Sequence, residues 1–195
     1  MGVFKPLLPF GDETVIEACL RTLRDAGIDE IVVVLGHRAE EVRRRLAGRK
    51  LIFAVNDEAE SEMSVSIARG TEKLSGAARA VLIALVDQPA VPPEAIRSLL
   101  TAYHSTQARL VVPQWNKRGG HPVLVDLCYH DELLKLDSRN GLRGLFDAHA
   151  GEVRRVPVAS PYVARDMDTW DDYRTLHEEI FRRPPPVAPP FLEEG

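Results

Sequence analysis

The chain is poor in cysteine, has no long apolar run and carries no large excess of either charge, and each absence removes a class of function. Its two cysteines, Cys19 and Cys128, have no second ligand at metal spacing, so both read as buried thiols in a reducing compartment. No apolar stretch approaches the roughly 20 residues that span a bilayer, and no charged-then-apolar leader opens the chain, so the expectation is a cytoplasmic protein with no membrane partner. A net charge of −4 and a pI near 5.9 give no basic footprint and argue against nucleic acid as a partner. No Ser-His-Asp or Cys-His arrangement is readable from spacing, and no internal repeat is visible. What remains is 195 residues, 45% hydrophobic and 28% charged, which suits one ordinary globular domain.

Within it, residues 80–86 form an apolar run with no polar interruption, which predicts a strand buried on both faces in the middle of a mostly parallel sheet. Further strands are expected at 31–35, 51–55, 110–112, 123–125 and 153–158. Thr14-Val15-Ile16-Glu17 is a capping box, and Ile16, Leu20 and Leu23 follow at helical spacing until Gly27 supplies a left-handed stop. Other helices are predicted over 39–46, 64–74, from Pro92-Pro93-Glu94 to about 106, over 141–148, and over 170–181 behind a Thr169 cap. Strands and helices alternating in this way predict an α/β fold, a Rossmann-like doubly wound sheet with helices on both faces, as a single domain over 1–181. Residues 182–195 contain Pro184-Pro185-Pro186 and Pro189-Pro190, which predicts a disordered or loosely packed tail.

Chemistry concentrates where these elements end. In Leu85-Val86-Asp87-Gln88-Pro89 an acid emerges at the carboxyl end of a strand, the edge at which open α/β sheets bind ligands, where it can hold a metal on a bound phosphate or act only as a turn residue. Asp166 and Asp168 face the same way if extended, just ahead of a helix N-terminus, and with Asp87 they suit magnesium; decoration of a helix start is the plainer alternative. Lys5 and Arg118-Gly119-Gly120-His121 combine cations with glycines that let backbone approach a ligand, although such a segment is also an ordinary solvated hairpin. Met63-Ser64-Val65-Ser66 offers hydroxyls and free amides at a helix start, for an anion or ribose or for capping alone. His37, after a strand and before a helix, is a candidate base, with a turn histidine bonded to backbone as the plainer alternative. His121 and His149 have no partner at ligand spacing, so zinc is not expected.

Taken together, these segments resemble the molybdenum cofactor cytidylyltransferase branch of the nucleotidyltransferases, whose fold is that of the nucleotide-diphospho-sugar transferases. The matching pieces run in order: Met1-Gly2-x-x-Lys5-x-Leu7-Leu8-Pro9-x-Gly11, Thr14-Val15-x-Glu17, Val33-x-x-Gly36-His37-Arg38-x-x-Glu41-Val42, Met63-Ser64-x-Ser66, Asp87-Gln88-Pro89, Gly120-His121-Pro122-Val123, Gly141-Leu142-Arg143 and Asp166-x-Asp168-Thr169-x-x-Asp172-Tyr173. The resemblance implies magnesium-dependent transfer of CMP from CTP, or a nucleotide from another NTP, to the terminal phosphate of molybdopterin with release of pyrophosphate, and a molybdenum hydroxylase as a further partner. It makes Asp87 the principal magnesium ligand and Asp168 the second, and sets Lys5 against the triphosphate. Ser64, Ser66 and Gln88 fall beside the nucleotide or pterin, and His121 and Arg143 face the acceptor. GTP or a sugar phosphate as substrate, or a non-catalytic cofactor-binding, chaperone-like module, are the alternatives. The departures are Glu62 where Gly usually precedes Met-Ser, Ser138-Arg139 near a usual Gly-Asp, and Trp170 where Pro usually follows Asp-Thr. The largest is at the start. The family's Leu-Ala-Ala-Gly-x-Ser-x-Arg-Met-Gly strand and loop would end at Met1-Gly2, so the expectation is a chain lacking that loop and at best feebly active.

Overall fold

The computed structural model describes residues 4–58 and 62–187; Met1-Gly2 of the opening motif and the tail from 188 onward, with Pro189 and Pro190, lie outside the described residues. A tight hairpin, β1 (Pro9–Phe10) and β2 (Glu13–Thr14), turns at Gly11 with φ of +69° and delivers Thr14 to the first helix, α1 (Val15–Asp25). The predicted capping box forms: the Glu17 carboxylate accepts from the Thr14 amide at 2.9 Å and its hydroxyl at 2.7 Å. Gly27, at φ +92°, supplies the left-handed conformation just beyond the helix. The chain continues through β3 (Val32–Leu35), α2 (Ala39–Arg45), β4 (Ile52–Val55), α3 (Met63–Thr71), β5 (Ala80–Ile83), α4 (Pro93–Thr106), β6 (Leu110–Trp115), β7 (Arg118–Gly119) and β8 (Val123–Asp126). It closes with α5 (His130–Leu134), α6 (Gly141–Ala148), β9 (Val153–Pro157) and α7 (Trp170–Phe181).

The architecture is the expected α/β sandwich of helices on sheet, with two qualifications. First, β8 is antiparallel to both β5 and β6, while β6–β9 and β3–β4 are parallel. The β6–β7 turn holds Asn116 and Lys117 at φ of 46° and 66°, the conformation of a two-residue hairpin, and the few residues between β6 and β8 cannot make the crossover that a parallel pair requires. Second, the strands fall into separate sheets: β3 pairs only with β4, and β5 only with β8. One edge of each has no strand beside it among the described residues. That is why 80–86, expected as a strand buried on both faces, is a four-residue strand whose residues are only half-buried.

Leu99 of α4 covers one face of the larger sheet at Val111 and Leu124, and Leu133, Leu142 and Leu145 of α5 and α6 cover the other at Leu110, Val112, Val123 and Val125. Ile16 and Leu20 of α1 pack with Val42, Leu46 and Leu35 around β3. The last helix is fixed to the opening hairpin: the Tyr173 hydroxyl donates to the Pro9 carbonyl at 2.6 Å, and fully buried His177 accepts from the Gly11 amide while its other nitrogen meets the Arg183 carbonyl at 2.9 Å. Val187 packs on the same cluster. Of the two cysteines read as buried, Cys128 is exposed, because it opens a turn at the end of β8 where Asp126 accepts its amide at 2.7 Å. Cys19 is half-buried on α1 with its sulfur 3.7 Å from the Val86 carbonyl, and burial, reinforced by the charge of Asp87, pushes its thiol up to about 12.

Glu17 is the main structural acid. Burial alone would push its carboxyl up, but the Thr14 hydrogen bonds and Arg45 outweigh this and hold it at about 2, with Arg45 and Arg49 each at 2.6 Å. The drop from 4.5 corresponds to stability on the order of 3 kcal/mol, fully present above pH 4.5 and lost as pH falls from there towards 2. Glu17→Gln is therefore expected to lower the melting temperature at pH 7 by roughly 6 °C or more, and the gap from wild type should close as pH falls through that window. Thermal melts of the two chains at pH 7 and at the lowest pH at which both stay folded check this; a gap that widens on acidification contradicts it.

Candidate functional site

Asp87 lies in the turn that leaves β5, and four backbone or side-chain ties assemble other segments around it. The Met167 amide donates to the Asp87 carbonyl at 3.0 Å, which lays residues 165–168 alongside. The Gln88 amide nitrogen donates to Asp166 Oδ1 at 2.7 Å. Across from these, Lys5 Nζ meets Asp168 Oδ1 at 2.8 Å, a pairing made possible because α7, which Asp168 precedes, is anchored to the hairpin that Lys5 precedes. The 118–122 segment joins through the His121 amide, which donates to the Val163 carbonyl at 2.8 Å. Residue 120 must be glycine there, since any side-chain carbon would overlap that same carbonyl.

The resulting group is three carboxylates and one amine on the carboxyl-end rim of β5. Burial raises the Asp87 carboxyl, the charges of Asp166 and Asp168 raise it further, and Lys5 opposes them. Among the described residues, Asp87 Oδ1 is buried without a hydrogen-bond partner, as is Gln88 Oε1. Leaving such an acceptor unmet costs about 1–3 kcal/mol, more for a charged group. A cation satisfies a buried carboxylate oxygen of this kind, so Asp87 fits a divalent ion. Among the described residues no cluster of three or more His, Cys, Asp or Glu side chains encloses a metal site. An ion here takes its remaining ligands from phosphate oxygens and water, the way magnesium is usually held. Burial lowers the His121 imidazole below its ordinary value, opposed by Asp166, which favours the neutral ring.

The structure brings together Lys5, Asp87, Asp168 and, through Asp166, Gln88 and His121. The remaining residues make their contacts elsewhere. Ser64 is buried at the start of α3, and Ser66 is half-buried with its hydroxyl accepting from the Asn56 amide at 3.0 Å. Arg143 is exposed on α6 and pairs with Asp147 at 3.7 Å. His37 meets Phe4 edge-on, and Arg38 lies 4.6 Å from the same ring while gripping Glu41 with two 2.7 Å bonds. Glu62 is exposed. Gln88, 6% exposed, is a framework residue by position, its amide spent on Asp166. The sequence singles out Asp166 only as half of an alternating pair; its tie to Gln88 spans 78 positions and leaves no local signal.

The chain is similar to Rv0371c of Mycobacterium tuberculosis, with a TM-score of 0.81, 29% identity, and coverage of 91% of this chain and 90% of the other. A structure of Rv0371c in complex with manganese aligns with a TM-score of 0.77 at 30% identity, over 89% of this chain and 91% of that one. Among curated sequences it is 31% identical over 133 residues to nicotine blue oxidoreductase of Paenarthrobacter nicotinovorans, covering 63% of this chain and 62% of that protein. It is also 30% identical over 120 residues to the bifunctional protein GlmU of Geobacter sulfurreducens, covering 62% of this chain but only 25% of GlmU, so it spans about a quarter of the GlmU proteins it matches. The MobA-like NTP transferase domain profile matches residues 1–153, and the chain belongs to that family.

Proposed function

We propose that this chain is a magnesium-dependent nucleotidyltransferase that moves CMP from CTP to the terminal phosphate of molybdopterin in the cytoplasm, releasing pyrophosphate and supplying a cofactor used by a molybdenum hydroxylase. The observation that carries the reading is the unpartnered, buried Oδ1 of Asp87 on the β5 rim, with the Lys5–Asp168 pair beside it. The acceptor and the base rest on the run of motifs from Lys5 to Tyr173 that resembles the cytidylyltransferases. Manganese bound to a relative 30% identical supports a divalent ion. Among the described residues no helix is long and apolar enough to cross a membrane.

In this reading an acceptor phosphate oxygen attacks the α-phosphorus of CTP, one phosphorus–oxygen bond forms, and the bond to the leaving pyrophosphate breaks. Asp87 and Asp168 would hold the divalent ion, which when bound offsets the negative charge that builds on the phosphates. Lys5 leaves Asp168 for the triphosphate, exchanging one anion for another. His121, half-buried and favoured in its neutral form, offers a hydrogen-bonding ring to the acceptor without adding charge. The reaction needs little covalent help from the protein, and positioning with charge neutralisation supplies the rate.

Two outcomes are expected. In an assay of pyrophosphate release from CTP and molybdopterin, Asp87→Ala should abolish transfer and Asp168→Ala should reduce it on the order of a hundredfold, both without unfolding; normal turnover by Asp87→Ala contradicts the assignment. In a thermal-shift panel with magnesium, CTP should stabilise more than GTP, UTP or ATP, by about 2.7 kcal/mol at a hundred times its dissociation constant. A larger shift with GTP would assign the other base, and nucleotide binding without pyrophosphate release would assign a cofactor-binding module.

A further inference from the structure

We propose that Gln88 is a positioning residue whose buried side chain clamps Asp166 beside Asp87 and thereby sets the affinity of the rim for a divalent cation. The inference rests on the reading above that Asp87 holds the metal. It starts from the orientation of one amide group. An ionised carboxylate only accepts hydrogen bonds, so the 2.7 Å contact with Asp166 Oδ1 obliges Gln88 to present Nε2 to it and leaves Oε1 pointing the other way. That oxygen is buried without a partner among the described residues. The small cavity along the Gln88 side chain is lined mostly by apolar groups, Leu23, Leu85, Val91, Ile96 and Pro122 among them, and although Thr22 and Cys19 also line it, neither bonds that oxygen. The amide is thus oriented by Asp166 at the expense of its own second hydrogen bond.

Gln88 cannot do this as a ligand to substrate, being 6% exposed. Its partner is different: Asp166 is exposed, and its charge acts on both Asp87 and His121. Two like charges on neighbouring loops would move apart in solution. Here two ties resist that movement, the Gln88–Asp166 bond through side chains and the Met167 amide to the Asp87 carbonyl through backbone. Carboxylates held together against repulsion are already arranged for a doubly charged ion, which removes the cost of assembling them when it arrives. Residues that orient metal ligands in this way typically change metal affinity by 10–100-fold when altered.

The test is binding of Mn2+ alone to the full chain, followed by the electron paramagnetic resonance signal of free Mn2+, in wild type, Gln88→Leu, Asp166→Asn and Asp87→Asn. Gln88→Leu removes the clamp at similar volume, whereas Asp166→Asn keeps an acceptor oxygen for Gln88 and removes only the charge. Both should bind Mn2+ at least tenfold more weakly than wild type, and Asp87→Asn should not bind it detectably. Wild-type affinity in Gln88→Leu and Asp166→Asn, even with lowered melting temperatures, makes the contact merely structural and overturns the proposal. If Gln88→Leu does not fold, Asp166→Asn decides by the same criterion. Undiminished Mn2+ binding by Asp87→Asn is a separate failure, since it removes the metal reading itself.

Discussion

Carboxylates cannot be buried without cost, and the way each acid of this chain meets that constraint separates scaffold from site. Glu17 is buried and fully compensated: two hydrogen bonds from Thr14 and the guanidiniums of Arg45 and Arg49 hold it ionised, with its carboxyl at about 2. It links α1 to α2 and asks for nothing further. Asp87 is raised by burial and by its acidic neighbours, and one of its oxygens has no partner among the described residues. The same chemical group is therefore a fastener at one end of α1 and an open valence at the carboxyl end of β5. The rest of the rim is arranged around that difference.

The arrangement is held from a distance. Lys5 and Asp168 meet because Tyr173 and His177 tie α7 to residues 9–11, far from either charge. His121 reaches the rim because Gly120 lies against the Val163 carbonyl, with no space for a side chain. Cys19, with its thiol pushed up to about 12, is no nucleophile; it is a small group that lets α1 approach the turn carrying Asp87. These contacts place residues that are apart in sequence within reach of one another without any of them lying on a long loop.

How much of this the sequence shows depends on how local the physics is. The capping boxes at Thr14 and Thr169, the proline start of α4 and the glycine stop after α1 are interactions among near neighbours, and the helices lie where those signals put them. The strand at 80–83 was legible as an apolar run, but its half-exposure was not, because that depends on which strands sit beside it. The antiparallel course of β8 is written in the Asn116-Lys117 turn, but a mostly parallel sheet, as expected from the alternation of elements, does not say which strand runs the other way. Asp87 and Lys5 could be picked out by position and resemblance. The role of Asp166 could not, since it rests on a glutamine 78 positions earlier, and a Gln in a turn carries no mark of what its amide will hold. Likewise nothing in the sequence ranks Ser64, which the fold buries, below Ser66.

The account stands or falls on whether the open oxygen of Asp87 faces a metal bound to nucleotide. Crystals of the protein grown with CTP and Mn2+, measured at the manganese edge, answer that question without reference to turnover. The account predicts an anomalous peak within coordination distance of Asp87 Oδ1, bridging to the phosphates of CTP. A peak held by other side chains, or CTP bound with its phosphates away from Asp87 and Lys5, would contradict it.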